Sequence, residues 1–308
     1  PQQNGIAYTY VGPGQGRFAP TRPLPRPEER RIVDLRATAE LLPGIHLSGN
    51  WAQSFIDANR FAPGTDAQTQ ADAYRIHLNA NPQPLHFGDQ MWGTVEATYE
   101  REARAAQFEP FERGRSVEFN RRWNLDRTGA DLPDALREQG RETMDAVTAA
   151  WAPTTDARLA GEWGRYSIGD AFESTRWQGS ARYRPTDGVR AQYTGEWIRS
   201  RQTDVETGHW IRQTARLSRR SSGALTPELT GRFERRSQRP TDRDSLADAS
   251  FQLWEITPRL RYEPAHWMLS AGGGLRVERE GAEGTLDPSA RAWQVETQAR
   301  YDGPGTTR

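Results

Sequence analysis

The chain has 308 residues, of which 35% are hydrophobic, so it is long enough for a large domain but too polar for an ordinary enzyme interior. Its 41 basic and 41 acidic residues balance, so no net positive field favours a nucleic-acid partner. Cysteine is absent, which excludes disulfides and thiolate metal ligands, whereas 11 Trp, 9 Tyr and 10 Phe are too many for a disordered chain.

The N-terminal segment, residues 1–30, is rich in proline and glycine and is predicted to form a loop or an extended segment at the rim of a sheet. Its run Gly12–Gly16 lacks the Lys-Ser/Thr pair of a phosphate-binding loop, so a turn is the better interpretation. The chain begins at Pro1 with neither an initiator methionine nor a signal peptide, so we expect either a mature chain or, as the preferred interpretation, an internal fragment of a longer protein.

Residues 31–308 are predicted to form an all-β, antiparallel up-and-down meander of about 14 strands, because apolar and polar residues alternate with a period of two. Most predicted strands are close to the ~9–11 residues of a tilted membrane strand. The clearest alternating runs, in chain order, are Val33–Leu41, Ile45–Ala52, Met91–Glu100, Trp177–Arg184, Val189–Trp197, Trp267–Val277 and Trp293–Tyr301.

The connections between these runs are of two kinds. Short turns are predicted at Leu42–Gly44, Asn81–Pro84, Pro153–Asp156, Pro185–Gly188, Ser221–Pro227 and Pro264–His266. Longer polar loops are predicted at Asp57–Ala71, Gln202–Gly208, Gln238–Ser245 and Gly281–Ser289. Short turns at one rim and long loops at the other are typical of a transmembrane β-barrel.

Polar exceptions on the apolar face mostly lie near the long-loop ends, where lipid head groups would tolerate them. These exceptions are Gln53, Asp145, Arg165 and Arg199. Glu255 is harder to explain, because it lies in mid-strand after Phe251 and Leu253. After it, the apolar residues move from odd-numbered to even-numbered positions. The pattern predicts a β-bulge between Trp254 and Pro258.

Residues 101–140 are predicted to be an irregular insertion. A strand through Val117–Leu125 would leave the next hairpin on the wrong rim, so either a strand is missing or this stretch folds inward. Leu132–Trp151 fits a helix that begins at Asp131, with Met144 on its apolar side, but also a strand over Arg141–Trp151. The strand is the preferred interpretation.

Aromatic residues recur at the predicted strand ends. Amphipathic rings favour the boundary between membrane and water, and transmembrane barrels carry aromatic girdles at both rims. The alternative is that these rings cover the core of a soluble sheet. The predicted interface aromatics are Trp163, Tyr183, Trp197, Trp210, Trp254, Trp267, Trp293 and Tyr301.

The opposite strand face carries arginine and glutamate, which on closed strands would point into the interior and pair across strands. Such a face either lines a wet pore or closes the interior through ion pairs; on an open sheet it is merely a solvated surface. The mixed signs favour pairing and a narrow or self-plugged interior, for which residues 101–140 are the candidate filling. The predicted interior network comprises Arg182, Arg184, Arg190, Glu196, Arg232, Glu234, Arg276, Glu278, Glu296 and Arg300.

Nothing in the sequence predicts an enzyme, a bound cofactor or a metal ion. The five histidines show no metal-ligand spacing, and no serine lies in a nucleophile elbow. The histidines are His46, His77, His86, His209 and His266.

Four stretches resemble those of large uncharacterised outer-membrane or cell-surface proteins of Bacteroidota and their relatives. They are Tyr8–Gly16, Phe108–Arg113, Val117–Leu125 and Gly169–Phe172. The resemblance implies a β-barrel-like protein of the cell envelope and a longer parent chain. It carries over no functional residues.

The leading hypothesis is an outer-membrane β-barrel of a Gram-negative bacterium, with a role in transport or in assembly at the cell surface. Its partners would be outer-membrane lipid and the remaining parts of a longer chain or envelope proteins, with no nucleic acid. The alternative is a soluble periplasmic or extracellular β-sheet protein that binds a partner or a glycan on its aromatic face.

Overall fold

The computed structural model describes residues 12, 27–61, 68–110, 118–125, 140–220, 224–264, 266–301 and 303. It contains one sheet of 13 strands, each paired antiparallel with its neighbours in sequence, which confirms the predicted all-β meander. Within the described residues, no helix has both the length and the apolar character needed to cross a membrane.

The strands are long, and all 13 pair in chain order. They are β1 (Glu29–Leu42), β2 (Ile45–Asp57), β3 (Gln68–Phe87), β4 (Gln90–Arg104), β5 (Glu142–Thr154), β6 (Ala157–Ile168), β7 (Phe172–Tyr183), β8 (Gly188–Gln202), β9 (Glu206–Arg220), β10 (Leu225–Pro240), β11 (Phe251–Tyr262), β12 (Trp267–Ala282) and β13 (Thr285–Tyr301). Strand β5 confirms the preferred strand interpretation of Arg141–Trp151. One short helix, α1 (Phe119–Arg122), lies between β4 and β5.

The two rims of the sheet differ in their connections. At the rim where β1 meets β2, here the short-turn rim, every connection spans only a few residues. At the opposite rim, the long-loop rim, lie the connections between β2 and β3, between β4 and β5, and between β10 and β11, which are the longest of the chain. The predicted difference between the rims is therefore confirmed in outline.

Three predicted connections are wrong. Gln202–Gly208 is not a long loop, because only residues 203–205 separate β8 from β9. Asn81–Pro84 lies inside β3, where shifts of register after Ala80 and after Pro84 absorb the irregular sequence. Gly281–Ser289 is no long loop, because only Glu283 and Gly284 separate β12 from β13. Both have positive φ, at 50° and 86°, as a two-residue type I′ hairpin turn requires.

The cross-strand register places apolar and polar side chains on opposite faces of the sheet. Residues directly opposite in an antiparallel pair lie on the same side of the sheet, so matching positions define two continuous faces. We call the side that contacts α1 the inner face and the other side the outer face. The outer face is predominantly apolar and the inner face predominantly polar.

The predicted β-bulge between Trp254 and Pro258 is wrong. Pairing of β11 with β10 runs from Phe251 to Tyr262 without a shift, and pairing with β12 has the same register on both sides of this segment. Leu253 is buried on the inner face. Glu255 lies on the same face, partly exposed, opposite Arg232 and Arg276. The outer positions of β11 are instead Trp254, Ile256, Pro258, Leu260 and Tyr262.

The edge strands β1 and β13 run in the same direction, because the number of strands is odd and all pairs are antiparallel. Both run from the long-loop rim to the short-turn rim. Among the described residues, no pairing joins β1 to β13, so the sheet is open in the structure.

A small apolar cluster lies on the inner face near the long-loop rim. Buried side chains of Tyr166, Ile168 and Phe172 pack there against Trp123 and Leu125, which follow α1. Val117–Leu125, considered above as a strand, therefore contains α1 and an inward-packed turn in its described part. Residues 118–125 therefore pack against the predominantly polar face of the sheet and add no strand to it.

Candidate membrane surface and inner charge network

The outer face exposes large apolar side chains on nearly every strand. Neighbouring outer positions form continuous rows across strands, such as Ala191, Leu217, Leu229 and Pro258. Members of this surface that are more than a third exposed include Val33, Leu35, Trp51, Ile76, Val147, Leu159, Trp177, Trp197, Leu217, Leu229, Trp254, Ile256, Leu260, Leu269, Trp293 and Val295.

An aromatic row borders this apolar surface on the long-loop side. Trp163, Trp177 and Trp197 lie directly opposite one another on β6, β7 and β8, and the first two rings are 6.3 Å apart. Tyr99 lies in the same row, two strands away across Val147. Trp163 and Trp197 were predicted from sequence as interface aromatics, whereas Tyr99 and Trp177 were not.

The next outer row toward the long-loop rim is polar on β4 to β9. Asp145 accepts a hydrogen bond from Tyr99 Oη at 2.9 Å and pairs with Arg101 at 3.2 Å. Three predicted exceptions, Asp145, Arg165 and Arg199, lie in this belt. Gln53 lies opposite Val33 on β1 and near the same rim. The change from aromatic row to polar belt occurs within two residues of each strand.

A second set of outer aromatics lies near the short-turn rim. Trp267 and Tyr301 are directly opposite, with ring centroids 4.8 Å apart, and Tyr183 and Tyr262 end their strands at the same rim. All four rings are 44–54% exposed.

Trp254 and Trp293 lie on the outer face farther from that rim. The ring of Trp254 is 4.3 Å from that of Phe233, and Trp293 lies opposite Leu275. From Trp254 to Tyr262 is eight residues, roughly 27 Å along a strand and roughly 20 Å along the normal of a membrane if the strand tilts by about 40°.

Trp210 is the exception among the predicted interface aromatics, and its assignment is wrong. It lies on the inner face, opposite Ile198 and Arg236, and is only 5% exposed. Its Nε1 donates a hydrogen bond to Glu234 at 3.0 Å. The guanidinium of Arg212 lies 4.4 Å from its ring centroid. The ring is therefore part of the interior packing.

The strand register places the predicted interior charges on the inner face. Arg184 is the one member outside a strand, since it comes directly after β7. The pairs among them are local: Arg232 with Glu234 at 2.7 Å, and Arg276 with Glu278. Glu296 pairs with Arg259 of a strand two places away at 2.8 Å. The predicted residues on this side are Arg182, Arg184, Arg190, Glu196, Arg232, Glu234, Arg276, Glu278, Glu296 and Arg300.

The centre of the network is Arg176, which sequence reasoning missed. Its guanidinium contacts both Glu162 and Glu196, and Glu196 also contacts Arg212. The Arg176 side chain is only 8% exposed, so these ion pairs are largely removed from solvent. Its even position in β7, shared with Arg182, is the sequence signal that could have found it.

Helix α1 and the turn after it fill part of the inner side. Asn124 Nδ2 donates a hydrogen bond to Ser200 Oγ at 2.8 Å, and Arg122 pairs with Glu162. Two glycines make room for this segment: a Cβ on Gly164 would lie 2.8 Å from the Trp123 ring, and one on Gly208 would lie 2.5 Å from Asn124. The space left by the two glycines, together with the hydrogen bond and the ion pair, thus allows this segment to pack on the sheet.

Similar solved structures are outer-membrane proteins. In-vitro folded OmpT, an outer membrane protein of Vibrio cholerae, matches with 6% identity and a TM-score of 0.34, covering 89% of this chain and 95% of its own. A bacterial polysaccharide outer membrane secretin matches with 9% identity and a TM-score of 0.27, covering 89% and 91%.

The beta domain of the Bordetella autotransporter BrkA matches with 11% identity and a TM-score of 0.21, covering 90% of this chain and 98% of its own. No protein-family model and no curated protein sequence matches. Each of these three TM-scores is below 0.5.

Proposed function

We propose that this sheet forms the wall of a transmembrane β-barrel in a bacterial outer membrane, with its outer face toward lipid. The observation that carries the proposal is the exposed apolar surface that continues across the strands. Soluble monomers rarely expose apolar patches beyond a few hundred Å², and each Å² costs roughly 25 cal/mol in water. Acyl chains would remove that cost.

The aromatic rows support the same orientation. A band of roughly 20 Å between aromatic rings is close to the ~25 Å apolar band of known transmembrane barrels. Indole and phenol rings favour the interface between acyl chains and head groups, and the polar belt of Asp145, Arg165 and Arg199 would then contact head groups and water.

Strand direction sets the condition for closing the barrel. Direct pairing of β1 with β13 would be parallel, since both run toward the short-turn rim. An entirely antiparallel wall requires a further strand that runs from the short-turn rim to the long-loop rim between them. Closure in this manner would satisfy the backbone amides and carbonyls of both edges, as lipid demands.

The inner face supports a filled interior. Arg176 is compensated by two carboxylates, and α1 together with the turn after it contacts β6, β8 and β9 through both polar and apolar side chains. An open, selective pore would concentrate charges of one sign in its narrow part. The proposed role is therefore a closed or gated passage, or a structural part in assembly at the cell surface.

A second candidate function follows from the tryptophan row on β6, β7 and β8. Trp163, Trp177 and Trp197 form a line of rings on a surface, and such a line could stack against a glycan or a partner protein in a soluble periplasmic or extracellular sheet. In that case the protein would remain in solution without detergent or lipid.

Nitroxide labels distinguish these functions, and the lack of native cysteine makes single-site labelling straightforward. Ala191→Cys labels an outer position, opposite Tyr183 and Leu217. Thr194→Cys labels an inner position, opposite Ser180 and Thr214. In liposomes we expect the label at residue 191 to be accessible to oxygen and protected from a water-soluble nickel complex, with the opposite order at residue 194.

Equal access of the nickel complex to both labels would contradict the lipid-facing assignment. Folded protein that stays monomeric and soluble without detergent would favour the soluble glycan- or partner-binding sheet instead.

A further inference from the structure

The inner face near the short-turn rim holds a cavity of about 280 Å³ with an unusual charge composition. Five arginines line it, against a single carboxylate, Glu228. Three neutral hydrogen-bonding residues, Gln192, Ser218 and Thr226, complete the polar wall. The five arginines are Arg184, Arg190, Arg216, Arg259 and Arg261.

Three of these arginines have carboxylate partners. Arg216 pairs with Glu228 at 2.7 Å, Arg259 with Glu296 at 2.8 Å and Arg261 with Glu263 at 3.6 Å. These contacts neutralise part of the cavity wall but leave its remaining two guanidinium groups without a counter-charge.

Arg184 and Arg190 are the two cavity arginines without a carboxylate partner. Arg184 donates a hydrogen bond to the neutral side chain of Gln192 at 3.0 Å. The Nε of Arg190 is buried and has no hydrogen-bond partner. Among the described residues, no carboxylate lies within 4.0 Å of either guanidinium. The Nε of Arg190 is costly to bury without an acceptor, whereas Arg184 is exposed; together the two guanidinium groups are suited to an anion that reaches both.

Comparison with Arg176 shows that the excess of positive charge is confined to one part of the inner face. On the same face, nearer the long-loop rim, Arg176 is held between Glu162 and Glu196. The inner face is therefore compensated where α1 packs and cationic near the short-turn rim. Arg182, opposite Gln192, adds a further positive charge beside the cavity.

We propose that this cavity, here the arginine cavity, binds a small phosphate-bearing anion. Guanidinium groups donate two parallel hydrogen bonds to phosphate oxygens, and such charge-assisted bonds are roughly twice as strong as neutral ones. A phosphate dianion matches two uncompensated guanidinium groups in charge. The hydroxyls of Ser218 and Thr226 can donate to its remaining oxygens.

The site lies within the sheet and requires the folded inner face, but it does not require lipid. Its test is therefore separable from the test of the membrane assignment. Titration calorimetry with inorganic phosphate and with pyrophosphate, on the protein folded in detergent at fixed ionic strength, measures binding directly. We expect saturable binding of one anion per chain, tighter for pyrophosphate.

The decisive variant is Arg184→Gln with Arg190→Gln, which removes both uncompensated charges. We expect at least a tenfold loss of affinity, since each charge-assisted contact contributes roughly a factor of ten. Arg190→Lys, which keeps the charge but not the planar fork, should lose affinity by a smaller factor. Arg276→Gln is the matched control, because it removes an inner-face arginine outside the cavity and should leave affinity unchanged.

Circular dichroism of each variant confirms that the sheet has formed before binding is measured. Weak binding that is equal in the wild type, the double variant and Arg276→Gln would show a diffuse charge effect and overturn the site. Absence of phosphate binding in folded wild-type protein would overturn it as well. Neither outcome bears on whether the labelled outer face meets lipid.

Discussion

Leu229 offers the sharpest test of the outer face. Its side chain is 45% exposed and lies in mid-row, opposite Leu217 and Pro258. Pro258 is four residues from Trp254 and four from Tyr262, which border the apolar band on this strand. Leu229 therefore lies roughly 13 Å along the strand from either border, or roughly 10 Å along the membrane normal at a 40° tilt.

Leu229→Arg would place a guanidinium near the middle of the apolar band. An arginine on the lipid face costs about 2–4 kcal/mol near the midplane of the bilayer, a factor of roughly 30 to 1000 in the folding equilibrium. Unfolding from liposomes in urea, followed by tryptophan fluorescence, measures this change. We expect the urea midpoint of the variant to fall accordingly.

Thr257→Arg is the matched control, since Thr257 adjoins Pro258 in sequence but lies on the inner face, opposite Thr230. Glu255 is two residues away on the same face and can pair with the new charge. We expect a change below about 1 kcal/mol, as for other solvated ion pairs. If the two arginines destabilise the protein equally, the assignment of the faces to lipid and interior is wrong.

Two further substitutions test the inner side. Arg176→Met removes the arginine that Glu162 and Glu196 share and leaves each carboxylate with one partner, Arg122 or Arg212, so we expect a loss of about 1.5–3 kcal/mol in the free energy of unfolding, measured by urea titration. Gly164→Val would force a side chain into the space of the Trp123 ring, and we expect α1 to be displaced, detected as faster proteolysis between β4 and β5 and as a larger conductance in planar bilayers.

Each substitution has a control on the same chain. Arg243→Met removes an exposed arginine that is 3.6 Å from Asp242 and should change the stability by less than about 1 kcal/mol. Gly179→Val adds a side chain on the outer face where nothing lies within 4 Å of the new Cβ, and should leave α1 in place. A small effect of Arg176→Met, similar to that of Arg243→Met, would contradict the importance of the buried pairs. Equal proteolysis of both glycine variants would contradict the proposed fit of α1.

The sequence sufficed for the strands and for most of the faces, because the period-two alternation is a local property. It failed where two apolar residues are adjacent. Trp210 is followed by Ile211, and Leu253 by Trp254, so composition alone does not decide which member faces inward. Only the register with neighbouring strands resolves the choice.

Connections were predicted less well than strands, for a related reason. The sequence Asn81–Pro84 has the composition of a turn, but β3 continues through it because bulges restore pairing with β4. The position of α1 depends on contacts with β6 and β8, remote in sequence, such as Asn124 with Ser200. No local pattern encodes such a contact, so the inward fold of this segment was an open alternative until the structure showed it.

The proposed barrel requires that its two edge strands, β1 and β13, be paired. Unpaired edge strands invite aggregation, and β13 exposes most of its length, with Val295 83% exposed. In lipid such an edge would also leave amides and carbonyls unsatisfied, at several kcal/mol for each group. Closure by an antiparallel strand between β1 and β13 predicts that the amides of both edges are as protected from hydrogen exchange as those of β7, which is paired on both sides. Exchange measured on liposome-embedded protein decides the matter: rapid exchange confined to β1 and β13 would mean that the wall is not closed there.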